Sequence, residues 1–275
     1  MAKVFITSLG TGKYTPVAYT FEGRALETTR YVQRALLGAY GPTFFDRVVI
    51  LLTPKAKEMH WAPLGTLRDD LADVVAPDRL LVQDISERIE ATAEQWSWFQ
   101  AVLDHVGQGD DLYLDMTHGF RVVPIVLSAA LNYLQAIKGV RLQAAFYGAH
   151  DAPGAPIVDF KDFYTLGPWA DAVNRLVEKA DADKLATLAG SDSNLHFPEF
   201  NRPELIDALK ALTDALKNID VNAVASVAQR ALGTLRESLA KLDPAASAQR
   251  PAPNDRARTR QVRGAQFRGP QHGSL

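Results

Sequence analysis

The sequence predicts an α/β fold: a Rossmann-like parallel sheet with helices on both faces over residues 1–180, a helical region over 181–243 and a disordered basic tail over 244–275. Three observations carry this. Short β-type runs at residues 4–8, 48–52 and 112–114 alternate with longer stretches of helical spacing, the order of an α/β sheet. Beyond residue 190 leucines recur three and four apart, which marks an amphipathic helical hairpin. After Asp243 the chain is mostly Ala, Pro, Gln, Gly and Arg, too poor in apolar surface to order itself.

The chain opens on Val4-Phe5-Ile6-Thr7-Ser8, a strand that ends in Leu9-Gly10-Thr11-Gly12-Lys13-Tyr14. A Gly-rich turn after a first strand invites comparison with nucleotide-binding loops, and both known patterns fail. A phosphate loop needs Ser or Thr where Tyr14 stands and a glycine where Thr7 stands. The dinucleotide fingerprint needs a helix where Pro16 stands and a third glycine where Thr15 stands. What is left is a loop with backbone N–H groups, the hydroxyls of Ser8 and Thr11 and the ammonium of Lys13. It is either a phosphate or ribose contact or a plain tight turn.

Residues 17–21 alternate enough for a strand or edge hairpin. Leu26, Tyr31, Val32, Ala35, Leu36 and Ala39 repeat at helical spacing, and Gly41-Pro42 closes that helix. The second buried strand, 48–52, ends in Thr53-Pro54-Lys55-Ala56-Lys57. Parallel strands put their carboxyl ends on one sheet edge, so Thr53 and Lys55 are expected near the Gly10 loop; solvated lysines are the plain alternative. Residues 64–75 read as a helix, 80–82 as a short strand and 89–106 as a longer helix. Its Trp96, Trp98 and Phe99 suit a core or a subunit contact better than a cofactor site. Residues 140–149 give another strand, ending in Tyr147-Gly148-Ala149. Residues 157–160 give a strand or hairpin arm and 169–188 a helix.

With 275 residues and 47% hydrophobic side chains the chain can bury a real core. A net charge of -2 offers no global attraction to nucleic acid or anionic membrane, so anion binding must come from a local site. The absence of cysteine excludes a disulfide framework and a thiolate zinc site and fits a reducing cytoplasm. No apolar run approaches the roughly 20 residues that span a bilayer, so no membrane role is expected. His60, His105, His150, His196 and His272 share no metal-site spacing. Neither metal nor cofactor is expected.

The centre of the chain is Asp111-Leu112-Tyr113-Leu114-Asp115-Met116-Thr117-His118-Gly119-Phe120-Arg121, followed by an apolar stretch out to about Leu134. Strand, turn, helix is the reading. Thr117 and His118 then lie where free backbone N–H groups and a helix N-terminus can receive an anion. Arg121 is expected in the first helical turn, where a cation opposes the helix dipole; a surface ion pair is its plain alternative. His118 either contacts ligand or satisfies a buried hydrogen bond. Asp115, on the strand itself, is expected to hold structure rather than to catalyse.

Taken together, the Leu9 to Tyr14 loop, the Thr53 strand end and above all Asp115-Met116-Thr117-His118-Gly119-Phe120-Arg121 with Pro124 resemble the CARF family, the CRISPR-associated Rossmann-fold sensors. The resemblance covers roughly residues 1–180, and its D-x-T-H-G-F-R string is specific. It implies a homodimer whose two sheet domains jointly bind a cyclic oligoadenylate, with cyclic tetra-adenylate the expected ring. An isologous interface presents each set of contacts twice, as a ring of repeating phosphates requires. On this footing the ligand-binding residues are Ser8, Gly10, Thr11, Gly12, Lys13, Thr53, Lys55, Thr117, His118, Gly119, Phe120, Arg121, Tyr147 and Gly148.

The second half departs from many relatives, which carry a HEPN ribonuclease marked by Arg, four to six residues, then His. His196 has no Arg at that spacing before it, and Arg268 to His272 is one residue too short. Three readings remain. One is a sensor whose helical region passes ligand binding to a partner. Another is a metal-independent ring nuclease using Thr11, Lys13, His118 and Arg121, with the ribose 2′-OH as nucleophile. The third is an adaptor or transcriptional regulator that touches nucleic acid through the Arg-rich tail.

Overall fold

The computed structural model describes residues 1–88, 90–119, 121–179, 181–189, 202–218 and 221–240. Phe120, the loop at 190–194, His196 and the tail at 244–275 lie outside the described residues. The described chain forms two compact units, one of Met1–Lys161 and one starting at Asp162.

In the first unit β1 (Lys3–Leu9) leads into an antiparallel hairpin of β2 (Val17–Phe21) and β3 (Arg24–Thr29), then α1 (Val32–Tyr40) and β4 (Arg47–Leu52). There follow α2 (Pro54–His60), the single turn α3 (Leu67–Asp70), β5 (Leu80–Asp84), α4 (Thr92–Leu103) and β6 (Asp111–Asp115). The unit closes with α5 (Val123–Lys138), β7 (Arg141–Gly148) and β8 (Ile157–Asp159). Six strands make one sheet in the order β5-β4-β1-β6-β7-β8, parallel throughout except for the β7/β8 pair. From β1 the chain moves to one side, through β4 and β5, and then returns to the other through β6 and β7. Right-handed crossovers therefore place α1 on one face and α4 and α5 on the opposite one, which gives the expected α/β layers. The β1 and β6 carboxyl ends flank the switch point between these two directions.

The strands are apolar on both faces because both are covered. Phe5, Val48, Ile50, Tyr113, Ala144 and Phe146 join Tyr31, Val32 and Leu36 in one buried cluster. The intervening Ile6, Val49, Leu114 and Ala145 are equally buried on the other face. Each of the Val, Leu, Ile and Phe side chains among them contributes roughly 1.5–3 kcal/mol when fully buried, so the sheet is a rigid floor for whatever sits at its edge.

Several expectations are corrected. Leu26 belongs to β3 rather than to a helix, because Glu22 and Gly23 both adopt positive φ (49° and 75°) and close a two-residue hairpin turn that Glu seldom signals. Residues 64–75 hold only the short α3, since Gly65 turns the chain at φ 68°. The helix expected over 89–106 is confined to Thr92–Leu103. Helix α5 begins at Val123, with Pro124 in its first turn, so Arg121 precedes the helix instead of standing in its first turn. Pro favours the first turn of a helix and discourages helix before it.

The second unit comprises α6 (Lys161–Lys179), which carries Pro168 inside it, α7 (Asp183–Ala189), α8 (Pro203–Lys217) and α9 (Val221–Ala240). Helix α6 thus starts well before the expected Trp169. Ala172, Ala182, Leu185, Ala186, Leu205 and Leu209 form its core, and Thr213 Oγ1 accepts the Ala182 N–H at 2.8 Å. Helices α8 and α9 pack on each other as the expected hairpin, although Leu232 of the anticipated seam is about half exposed.

Candidate functional site

The carboxyl ends of β1 and β6 meet at Gly10 and Gly119. A Cβ on Gly10 would stand 3.3 Å from Gly119 Cα, and one on Gly119 only 2.6 Å from Ser8 Oγ. Gly119 also has φ 123°, a conformation that side chains rarely adopt. The Ser8 hydroxyl donates to the His118 carbonyl oxygen at 2.6 Å, tying the two strand ends together. The two strand ends lie at the switch point, and the crevice outside such a point is where open α/β sheets bind ligands.

Beneath it lies a buried polar network. Asp115, fully buried, accepts at Oδ2 from the Thr7 hydroxyl (2.7 Å) and from Gln33 Nε2 (3.2 Å). At Oδ1 it accepts from the Thr117 N–H (3.0 Å) and the Thr117 hydroxyl (2.6 Å). Thr117 Oγ1 in turn accepts the Gly148 N–H at 2.8 Å. Gln33 Nε2 also reaches Thr7 Oγ1 and the Ser8 carbonyl. Burial pushes the Asp115 carboxyl above the usual carboxylate range, although Thr117, Thr7 and Gln33 all favour its charge. With both oxygens engaged, Asp115 holds the β6 turn in place.

Over this floor folds the Gly10 to Tyr14 loop. The Tyr14 phenol oxygen accepts the Gly10 N–H at 2.9 Å, and its ring lies 4.2 Å from the His118 ring and 4.7 Å from that of His60, centroid to centroid. His60, at the end of α2, reaches the Gly12 carbonyl with Nε2 at 2.9 Å and faces the Tyr31 hydroxyl with Nδ1 at 3.3 Å. A carbonyl only accepts, so Nε2 carries the proton and Nδ1 accepts from Tyr31. Burial pushes the Tyr14 phenol up to about 12. Burial, then the neighbouring His150 and His60, pushes the His118 imidazole down to about 4. His118 is therefore neutral near pH 7, and its Nε2 is buried with no hydrogen-bond partner among the described residues.

Of the residues singled out in the sequence, Gly10, Thr117, His118, Gly119 and Gly148 converge on this crevice. Ser8 stands there too, but buried, with its hydroxyl on His118. Thr11 is half-buried, and Gly12, Lys13 and Arg121 are exposed. Thr53 is fully buried and its hydroxyl accepts the Ala56 N–H at 3.2 Å, capping α2. Lys55 is exposed, and its backbone N–H is taken by Glu87. Tyr147 is exposed on β7 with its ring edge toward Phe160. Phe120 lies outside the described residues. Sequence reasoning missed His60, Gln33 and the role of Tyr14. A polar Gln33 among the apolar positions of α1 was a readable signal, since buried polar groups need partners; His60, so distant in sequence from the loop, carried none.

No family model matches the chain. Over 80 residues, 28% of its length, it is 31% identical to the CRISPR-associated protein MJ1674 of Methanocaldococcus jannaschii. The homologue is CRISPR-associated. This fits the CARF resemblance drawn from Asp115 to Arg121, although the chain spans only 13% of the relative's length. Among solved structures it is similar to Enterococcus italicus Csm6 bound to cyclic hexa-2′-fluoro-hexa-dAMP, at a TM-score of 0.45 and 14% identity. That match covers 79% of this chain and 54% of the Csm6 chain. Among the described residues no helix is long and apolar enough to cross a membrane.

Proposed function

We propose that this protein is an ancillary component of type III CRISPR defence that binds a cyclic oligoadenylate, with cyclic tetra-adenylate as the preferred ring, across a homodimer. The observation that carries the reading is the position of the D-x-T-H-G-F-R string. Its described part, Asp115 to Gly119, lies at the switch point against the Gly10 loop, and Arg121 and Val122 lead into a helix whose start has no side-chain cap among the described residues and no acidic residue in its first turn. The donors proposed for phosphate oxygens are the N–H groups of His118 and Gly119 in the turn, because at the helix start Pro124 carries none, the Ile125 N–H is held by the Val122 carbonyl at 3.0 Å, and the Thr117 N–H is held by Asp115. Lys13 and Arg121, both exposed, supply the cations, and Gly12 and Thr11 line the approach. The CRISPR-associated relative supports the same setting.

The homodimer is supported by α5. Ile125, Tyr133 and Ile137 are exposed along one face of it, at 67%, 42% and 64%. Burying that face against its copy would bring two Gly119 turns toward one another, because α5 starts directly after the turn. Helices α8 and α9 then form the element through which occupancy is passed on, by a shift between two states of the dimer.

Calorimetric titration of the full chain with cyclic tetra- and hexa-adenylate, followed by liquid chromatography of the nucleotide, tests the proposal. Saturable binding at one intact ring per two chains supports the sensor. Linear products assign the ring nuclease instead, with His118 acting as a neutral group. No binding of either ring overturns the reading.

A further inference from the structure

The loop that is read as receiving phosphate is already closed on itself, by Tyr14. The Gly10 N–H, the backbone donor at the very end of β1, is taken by the Tyr14 phenol oxygen at 2.9 Å. The Tyr14 ring at the same time covers His118, with ring centroids 4.2 Å apart, and leans on His60 and Tyr31 at 4.7 and 5.7 Å. His60 pins the middle of the loop through the Gly12 carbonyl. A ligand atom aimed at the Gly10 N–H or at the covered side of His118 therefore meets Tyr14 first.

We infer that Tyr14 is a latch: in the empty protein its hydroxyl fills the place of a phosphate oxygen at Gly10, and an anionic nucleotide binds by displacing it. The inference rests on the phosphate-receiving role proposed above. The exchange favours the ligand because the phenol stays neutral, held up to about 12 by its burial, whereas a phosphate oxygen accepts through a charge-assisted bond about twice as strong. His60 acts as a positioning residue. Its hold on Gly12 limits the movement to the segment around Lys13 and Tyr14, so release of Tyr14 turns the Lys13 side chain without unfolding the loop.

The test compares wild type with Tyr14→Phe, which keeps the ring and removes only the oxygen. A neutral hydrogen bond contributes about 0.5–1.5 kcal/mol net, so Tyr14→Phe is expected to bind cyclic tetra-adenylate about 2- to 12-fold more tightly, through a faster association rate. A second measurement needs no ligand: the Gly10 amide exchanges slowly with deuterium in wild type and faster in Tyr14→Phe. Equal or weaker binding by the variant, when wild type binds, overturns the latch and leaves the phosphate site standing. A Gly10 amide unprotected in wild type overturns it as well. If wild type binds neither the tetra- nor the hexa-adenylate ring, the latch falls together with the reading on which it rests.

Discussion

Ser8 and Gly119 stand so close that only a hydrogen fits between them: a Cβ on Gly119 would lie 2.6 Å from Ser8 Oγ. Two separate penalties face Gly119→Ala, this clash and the left-handed backbone at φ 123°. Strained backbone of this kind costs of order 1–3 kcal/mol. The variant should lose at least that much stability in urea denaturation and should bind nucleotide poorly. Adding Ser8→Ala removes the oxygen but not the strain, so the double variant should recover only part of the loss. Full recovery, or none, would show that this geometry is wrong.

Asp115→Asn keeps the shape and loses two acceptor sites that face donors from Thr7 and Gln33. A buried donor left unpaired costs about 1–3 kcal/mol. Chemical denaturation should show a loss in that range, accompanied by faster amide exchange at Thr117. An unchanged midpoint would mean that the carboxylate does not hold the turn.

Lys13→Ala and Arg121→Ala remove exposed cations with no buried role, so melting temperatures should stay within a degree or two of wild type. A charge-assisted bond is worth about 1.5–3 kcal/mol, and each variant should weaken cyclic tetra-adenylate binding roughly tenfold or more while flattening its salt dependence. Thr53→Ala is expected to behave in the opposite way. Its hydroxyl caps α2, so about 1 kcal/mol of stability is lost with little effect on affinity. A large affinity loss in Thr53→Ala at unchanged stability would return that residue to the ligand rim.

His118 takes up a proton near pH 6.5 in the unfolded chain and only near 4 in the folded one. Between these values the unfolded state holds more protons, so the contribution to stability is whole above about pH 6.5 and is lost as pH falls toward 4. At about 1.4 kcal/mol per unit the upper bound is about 3 kcal/mol. His60 is displaced in the same direction. Asp115, whose carboxyl is raised, acts in the opposite sense, since its ionisation weakens the fold as pH rises. The wild-type curve minus that of His118→Phe isolates the histidine. It should slope through this window, and a flat difference would contradict the burial of His118.

The succession of strands and helices along the chain and the place of the Thr117 turn were legible because apolar runs and a polar turn are local features, whereas the order of the strands within the sheet was not. Arg121 was misplaced by about a turn because Pro124 reads equally well as an interruption or as a helix start, and the sequence contains no cap to decide. The β3 strand was hidden by Glu22, which takes a positive φ that only the paired hairpin sustains. The site floor was half visible. Asp115 and Thr117 are neighbours in sequence, but Thr7, Gln33 and Gly148 join them through sheet register and the α1 crossover, which no spacing encodes. His60 entered by the same kind of long-range meeting.

The bonds running from the Gly148 amide through the Thr117 hydroxyl to Asp115 all point in one direction, and the amide at their head has no proton to release. Along this line whatever arrives beside Gly148 thus has no wire through which to send a charge inward. Along this line of bonds, news of its arrival would travel as a mechanical nudge of β6 against β7 rather than as a proton.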